Sequence, residues 1–355
     1  MSLKHVYFSL RDSLRFTLAK ARYDFTPLGQ YKDFDFHKFK QVVIAKIDGK
    51  LGDSQVMTHF YASLQRECPA LKLTIICPGS LTQIYRDCLH FTSIYEVSRK
   101  PKAPELKNLA AKIGSCDLFI TTEPHFRPRD FILAHALNPR FTAGFESRVQ
   151  CIGYLLDGEP SSMHISECFE KLLLKGKIQP SQVSYTPFST PEAETRILPL
   201  LKDREVIGVN PWASTAKRRF NDETVIAIIQ EIQKKTDRYA LLLIPPRHGD
   251  FRKLIEEHTD AKRLLFLPDD STPMDLSVAI SKCRALVTVD TAAVHMACSW
   301  KVPQLCVYAG THPSDARRWA PLEGMATVFS KSGVPIIDLP ADEVLEQVRT
   351  FLKTL

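Results

Sequence analysis

The segment ALVTVDTAAVHMACSWKVPQLCVYAGTHP, residues 285–313, contains a complete strand–helix–strand unit. The apolar run at 285–289 predicts a buried strand that ends at Asp290, and the run at 304–308 predicts the next strand. Between them, 292–299 has the spacing of a helix. Buried strands joined by a helix are typical of a parallel sheet covered by helices, so this stretch predicts an α/β fold.

The same alternation continues along the chain and predicts two successive doubly wound, Rossmann-like sheets. Ligands of such sheets bind outside the carboxyl ends of the strands, so with two domains we expect the site in the cleft between them. The other strands are predicted at 42–47, 71–77, 93–97, 117–121, 141–145, 206–210, 239–244 and 263–267.

A stretch with several prolines separates the two halves and is interpreted in its later part as a linker. The length of 355 residues suits two domains. The predicted organisation is an N-terminal extension at 1–40, a Rossmann-like domain at 41–190, a linker at 191–204, a second Rossmann-like domain at 205–340 and a C-terminal helix at 341–355.

The composition is that of a globular protein with a mild basic excess. Lys and Arg number 47 against 40 Asp and Glu, a formal charge of +7, which permits an anionic partner but gives no argument for nucleic acid. The nine cysteines form no CxxC pair and predict buried free thiols in a reducing compartment. Because neither a signal peptide nor a membrane-spanning run is visible, we expect a cytoplasmic protein.

The N-terminal segment 4–23 predicts a basic amphipathic helix, and two interpretations of it stay open. Its apolar side chains recur on one face, and its basic side chains lie on another. Such a helix either packs on the body of the protein or lies on an acidic membrane surface, here the cytoplasmic face of the inner membrane. The apolar face consists of Val6, Leu10, Leu14 and Leu18.

Small and polar residues follow the strand that ends at Asp290. Thr291 and Ala292 open the next helix, and His295 lies one turn into it. Exposed N–H groups at a helix N-terminus favour a phosphate, and small residues let the ligand approach the backbone. The alternatives are that Asp290 caps the helix and that His295 is a core histidine.

A second group of polar residues, NPWASTAKRRF at 210–220, follows the first strand of the second half. Ser214 and Thr215 supply hydroxyl donors and Lys217 a cation, which together suit a diphosphate. The alternative is a solvated loop with a basic run.

A third loop, KIDGKLGD at 46–53, follows the first strand of the chain. Gly49 and Gly52 permit tight turns, and Asp53 is predicted at the start of the next helix, facing the cleft. The spacing matches neither the GxGxxG fingerprint nor a Walker A loop. The alternative role of Asp53 is a helix cap.

Charged residues also follow the strand at 117–121, in EPHFRPR at 123–129. His125, Arg127 and Arg129 are candidates to hold phosphates or carboxylates of an acceptor, with Lys50 as a further candidate. The alternative is a charged surface loop.

These motifs together resemble glycosyltransferase family 9, the ADP-heptose:lipopolysaccharide heptosyltransferases. Gly52-Asp53 resembles the end of the family's first motif, and Pro211–Lys217 its second-domain loop. Asp290–His295 is similar to the family's D-[TS]-G-x-x-H segment, with Ala292 where the family has glycine. The match continues through Ala297, Pro303–Gly310 and Thr311–Pro321 and covers the chain from about residue 40.

The resemblance implies a GT-B fold and an inverting, metal-independent transfer of heptose from ADP-heptose to the lipopolysaccharide inner core. It needs no cofactor. Asp53 would act as general base, and Lys217 with the helix at Thr291 would stabilise the leaving diphosphate. Asp250 is matched to the family's acidic ribose-binding residue.

Two other functions stay open. One is a transferase of the same fold that uses a UDP- or GDP-activated hexose. The other, suggested by Ala292 and the basic helix, is a non-catalytic nucleotide-binding protein associated with the membrane. A dehydrogenase is disfavoured because neither half carries a dinucleotide fingerprint.

Overall fold

The computed structural model describes residues 3–30, 32–156, 163–245, 248–311 and 313–355. Its strands are β1 Gln41–Ala45, β2 Lys72–Cys77, β3 Ser93–Glu96, β4 Leu118–Thr121, β5 Phe141–Gly144, β6 Tyr154–Leu155, β7 Val206–Asn210, β8 Tyr239–Leu242, β9 Leu264–Phe266, β10 Cys283–Val289, β11 Gln304–Gly310 and β12 Ala326–Ser332.

Helices connect these strands along the chain. They are α1 Leu3–Tyr23, α2 Leu51–Val56, α3 Thr58–Glu67, α4 Gly79–Gln83, α5 Ala103–Ile113, α6 Pro128–Leu137, α7 Ile165–Lys175, α8 Pro191–Leu201, α9 Asp222–Lys235, α10 Gly249–His258, α11 Pro273–Ser281, α12 Ala292–Trp300, α13 Pro313–Arg318 and α14 Ala341–Leu352. Short 3₁₀ or π-helical turns lie at Phe36–Lys38, Ile84–Cys88, Ala216–Arg218, Ala261–Arg263 and Ile336–Asp338.

The strands form two six-stranded parallel sheets, one in each of two compact units. The first sheet has the order β3-β2-β1-β4-β5-β6, and the second has the equivalent order β12-β11-β10-β7-β8-β9. Each is a doubly wound sheet in which the strand order reverses beside its first strand. The predicted α/β class with two Rossmann-like sheets is therefore confirmed.

The first unit consists of Met1–Lys50 and Phe60–Gln182, and the second of Leu51–His59 and Val183–Leu355. The short segment that contains α2 thus belongs to the second unit, although first-unit sequence flanks it on both sides. Within its unit it is held by hydrogen bonds, because Gln55 Nε2 donates to the carbonyl of Thr186 and Thr186 N donates to Thr58 Oγ1 at 2.9 Å.

The central strands of both units are buried because they carry apolar side chains on both faces, as is usual in parallel sheets. All five residues of β1 and of β7 are buried. In the second unit the core is formed by these strands and by the apolar faces of α9 and α14, including Ile228, Ile232 and Val348.

Several local features differ from the sequence predictions. The segment predicted as a linker at 191–204 contains α8, which begins after Thr190 because the Thr190 side chain accepts a hydrogen bond from Ala193 N. The single helix expected after the loop at 46–53 is two helices, α2 and α3. The edge strand β12 was not predicted.

Some predicted features concern side chains outside the described part of the chain. These include Val6 and Leu10 of the predicted apolar face and His312 of the C-terminal motif. All nine cysteines are buried and free. Among the described helices, none has both the length and the apolar character needed to cross a membrane.

Candidate functional site

A pocket of about 390 Å³ lies in the second unit, at the carboxyl ends of the sheet's strands. β7 ends at Asn210, and the segments after β8 and β9 supply mainly apolar side chains. This is the point of reversed strand order at which doubly wound sheets bind ligands. The pocket is lined by Leu51, Asn210, Trp212, Leu243, Ile244, Pro245, Leu267, Ser271, Thr272, Pro273, Leu276, Thr291, Ala292 and Ala293.

The N-terminus of α12 forms one wall of this pocket. Thr291 caps the helix, and its hydroxyl accepts a hydrogen bond from Ala293 N at 3.3 Å. Asn210 at the end of β7 holds that hydroxyl, because its Nδ2 donates to Thr291 Oγ1 at 2.8 Å and to Thr288 Oγ1 at 2.9 Å. The first turn of α12 is thereby fixed with the positive end of its dipole beside the pocket, which suits an anion.

Asp290 does not cap α12, contrary to the alternative considered from the sequence. Its carboxylate instead accepts a hydrogen bond from Arg218 Nη1 at 2.9 Å, and Arg218 Nη2 lies 3.4 Å from Ser214 Oγ. Asp290 is buried and Arg218 is about a third exposed. The 3₁₀ turn after β7 is thus joined to the end of β10 by an ion pair.

The cation beside Asp290 is therefore Arg218, which the sequence reasoning missed in favour of Lys217. Lys217 and Thr215 are exposed in the same turn. Adjacent side chains of a 3₁₀ turn point about 120° apart, so only one of two neighbouring basic residues can face the site. The sequence signal for Arg218 was Asp290, because a carboxylate at the end of a buried strand requires a cationic partner.

Asp53 lies in the first turn of α2 and is half-buried. The preceding residue, Gly52, packs against α12 so closely that a Cβ atom there would lie 3.3 Å from Ala292 Cα and 3.5 Å from His295 Cδ2. Because α2 and α12 meet at Gly52, Asp53 is positioned next to the helix whose N-terminus lines the pocket.

His295 is buried within α12, with 3% of its surface exposed. Its ring contacts Tyr185 edge-on at 6.0 Å between centroids and Trp319 at 6.4 Å. The structure therefore places this predicted donor-binding residue among aromatic rings, one turn behind the pocket wall.

Trp212 forms an aromatic wall that the sequence reasoning did not single out. Its ring lies 4.4 Å from His248 and 5.3 Å from Phe251, and the Arg219 guanidinium is 4.5 Å from its centroid. A large ring in the segment directly after a buried strand was the available signal. Asp250, the predicted ribose ligand, is exposed in the first turn of α10, and the described residues that line the pocket do not include it.

The first unit places the predicted acceptor residues in different surroundings. His125 and Arg127 are exposed after β4, whereas Arg129 is buried. The Arg129 guanidinium binds the Glu123 carboxylate and donates to the carbonyl of Arg99 at 2.6 Å. The prediction of a ligand-facing Arg129 is therefore corrected, since its charge is satisfied internally.

Asp130, beside Arg129, is a buried carboxyl group. Burial raises its pKa from the usual 3.8 to about 7, an effect that Arg129 opposes and the nearby Glu123 carboxylate reinforces. Asp130 Oδ2 accepts a hydrogen bond from Arg127 N at 2.7 Å and so fixes the start of α6. The buried side chains of Glu123, Arg129 and Asp130 thus hold the loop that carries His125 and Arg127.

Lys50, also predicted on the acceptor side, is exposed at the end of the loop after β1. Its backbone N–H donates to Asp48 Oδ1 at 3.2 Å, and Asp48 also pairs with the buried Lys46. Within the described ranges, no group of three or more His, Cys, Asp or Glu side chains is arranged to hold a metal ion.

The family model for glycosyltransferase family 9 (heptosyltransferase) matches residues 165–337. Residues 165–337 are thus similar to a family 9 glycosyltransferase domain. Of the residues that line the pocket, all but Leu51 lie inside the matched range. The predicted resemblance and the glycosyltransferase class are thereby confirmed.

Solved structures of low sequence identity share the fold of this protein. A glycosyl transferase family 9 protein from Veillonella parvula DSM 2008 has a TM-score of 0.73 at 16% identity, over 91% of this chain and 99% of that one. The E. coli ADP-heptose lps heptosyltransferase II gives 0.69 at 15%, over 89% and 99%.

The E. coli heptosyltransferase WaaC, solved with ADP, gives a TM-score of 0.66 at 16% identity, over 88% of this chain and 99% of that one. These structures confirm the predicted GT-B fold. A comparison with curated protein sequences finds no match.

Proposed function

We propose that this protein transfers heptose from ADP-heptose to the lipopolysaccharide inner core, with inversion and without a metal ion. The observation that carries the proposal is the pocket at the N-terminus of α12, inside the family 9 domain. The structure of the similar E. coli heptosyltransferase WaaC with ADP supports the choice of an adenosine diphosphate donor. The protein would act in the cytoplasm, where its nine buried thiols stay reduced.

In this proposal the donor occupies the pocket of the second unit. The diphosphate binds at the first turn of α12, where Thr291 and Ala292 present backbone to the ligand and Ser214 and Arg218 lie beside the adjacent strand end. The nucleoside takes the apolar part of the pocket, against Trp212. Thr215, Lys217 and Asp250 remain candidates to contact the donor at the rim of the pocket. His295 is a candidate to hold α12 in place.

The proposed reaction is a single displacement at the anomeric carbon. Asp53 takes the proton of the acceptor hydroxyl, the oxygen forms the new glycosidic bond, and the bond to ADP breaks with its electron pair going to the diphosphate. Positive charge at the α12 N-terminus and on Arg218 stabilises the anion that leaves.

On the acceptor side we propose that the exposed side chains of the first unit, Lys50, His125 and Arg127, bind anionic groups of the inner core. Arg129 and Asp130 would act indirectly, because they hold the loop that carries His125 and Arg127.

The activity is tested by incubating the protein with ADP-heptose and heptose-deficient core oligosaccharide and measuring ADP release. Asp53→Asn is expected to lower the rate by roughly 10²–10⁴-fold, the usual contribution of a general base, while ADP still raises the melting temperature. Asp87→Asn, a change at an exposed carboxylate of the first unit, serves as the matched control. Release at the wild-type rate from Asp53→Asn would remove Asp53 as the base.

The donor is tested separately by thermal unfolding with ADP, UDP and GDP, because a ligand stabilises the state it binds. ADP is expected to give the largest shift. A larger shift with UDP or GDP would favour a hexosyltransferase, and ADP binding without turnover on any core acceptor would favour a non-catalytic protein.

A further inference from the structure

Helix α1 is held on the first unit by a defined face. The ring of Phe16 packs edge-on against Phe131 of α6 at 5.3 Å, and Ala19 is buried. One turn further, Tyr23 lies 5.6 Å from His135. Since these contacts recur at three and four residues, they define one side of the helix and fix which side faces outward.

The outward side of α1 carries apolar side chains. Leu14 and Leu18 are 60% and 61% exposed. Each is two residues from Phe16 along the chain, which at 100° per residue places it about 160° away from the packed side. Leu28, five residues beyond α1, is 81% exposed. Packing of α1 on the first unit accounts for one apolar face of the helix. It does not account for the second apolar face, which is exposed to solvent.

Basic side chains run along one flank of this outward face. Arg11, Arg15 and Arg22 recur at four and seven residues, so they lie on the same flank of α1. The acidic residues nearby are occupied: Asp12 pairs with Arg11 at 2.9 Å. Asp24 accepts hydrogen bonds from the backbone of Gln150 and Cys151 at 2.9 and 2.8 Å. The face therefore combines exposed leucines with net positive charge.

We propose that this face of α1 binds the surface of a bilayer that contains anionic phospholipid. Leucines enter the boundary between headgroups and acyl chains, while the arginines of the flank contact lipid phosphates. A second copy of the chain is a poorer occupant. The exposed leucines present on the order of a few hundred Å² of apolar surface, against the roughly 800 Å² per partner of a stable interface.

The test is co-sedimentation of the full chain with phospholipid vesicles, without donor or acceptor, so that its outcome does not depend on the transferase activity. Wild type is expected to bind vesicles of phosphatidylcholine and phosphatidylglycerol more tightly than vesicles of phosphatidylcholine alone, and to be released as salt rises. The double variant Leu14→Ser/Leu18→Ser is expected to bind about tenfold more weakly.

Two further variants separate the apolar and ionic contributions. Arg15→Gln/Arg22→Gln is expected to lower binding to the anionic vesicles and leave binding to neutral vesicles unchanged. Leu174→Ser, at a 48% exposed leucine of α7 in the same unit, is the matched control and is expected to bind as wild type. Because all these positions are solvent-exposed, the melting temperatures should stay close together.

Three outcomes would overturn the proposal. The first is no binding of wild type to anionic vesicles. The second is equal binding by wild type and Leu14→Ser/Leu18→Ser. The third is gel filtration that shows a dimer for wild type and a monomer for the double variant, because a second copy would then cover the face.

Discussion

Arg218 donates to Asp290 across 2.9 Å and thereby joins the turn after β7 to the carboxyl end of β10. These two strands are neighbours in the sheet, and the order of strands reverses beside them. The pair fixes a guanidinium next to the N-terminus of α12. It also neutralises a carboxylate that would otherwise repel a bound diphosphate.

Arg218→Ala is expected to weaken ADP binding by roughly 10–100-fold, since it removes charged hydrogen bonds and the cation that offsets the negative charge of Asp290 near the ligand. Lys217→Ala, one residue earlier and exposed, is the matched control and should lose much less. Calorimetric titration with ADP measures both. Equal losses for the two variants would contradict the role assigned to Arg218.

Gly52→Ala is expected to destabilise the protein by about 1–3 kcal/mol, because the new Cβ would press on the backbone of Ala292 at 3.3 Å. Gly249→Ala is the control, since a Cβ there meets nothing within 4 Å, and it should be neutral or slightly stabilising. Denaturant unfolding gives both free energies. A neutral Gly52→Ala would show that α2 and α12 can separate freely.

Asp130→Asn is expected to gain stability relative to wild type as the pH rises from about 4 to about 7. Burial raises the folded pKa to about 7, so the folded state keeps its proton where the unfolded chain has lost it. Wild type is therefore penalised increasingly across this window, and the neutral amide is not. Melting temperatures of both proteins at several pH values test the difference.

A constant difference between Asp130→Asn and wild type from pH 4 to 8 would contradict the raised pKa. Asp87→Asn, at an exposed carboxylate, should show no such trend.

Trp212→Phe is expected to abolish most of the change in tryptophan fluorescence that a nucleotide causes, because Trp212 lines the pocket. The chain has only three tryptophans. Trp300→Phe is the matched control, since the Trp300 Nε1 is bound to Ser277 at 2.9 Å and the residue does not line the pocket. An unchanged signal in Trp212→Phe would place the nucleotide elsewhere.

The sequence pattern predicted the buried strands of both sheets because these strands are nearly continuous apolar runs. Such runs are apolar on both faces, so the prediction does not depend on which face points towards the core. The prediction failed where the residue types of a segment favour one structure and its contacts in the folded protein favour another. The edge strand β12 carries exposed residues such as Lys331 and, among the described strands, pairs with β11 alone. Helix α8 begins with Pro191, a residue that reads as a linker but also fits the first turn of a helix.

In the candidate site, sequence reasoning identified the strand end at Asp290 and the small residues after it. It proposed Lys217 and missed Arg218, because the choice between them depends on how a 3₁₀ turn is oriented against another strand. The sequence also did not show that Arg129 is buried. Burial depends on how the loop at 123–129 folds, and only that fold brings Arg129 to its partner Glu123.

The assignment of Leu51–His59 to the second unit has a consequence for how the protein is made. This segment leaves the ribosome about 240 residues before α12, against which Gly52 packs. This segment therefore cannot complete its packing until α12 has emerged, although the first unit, whose sequence flanks it, can begin to fold earlier. A fragment that starts at residue 183 would lack α2. Adding residues 51–59 as a separate peptide should restore part of the stability of that fragment.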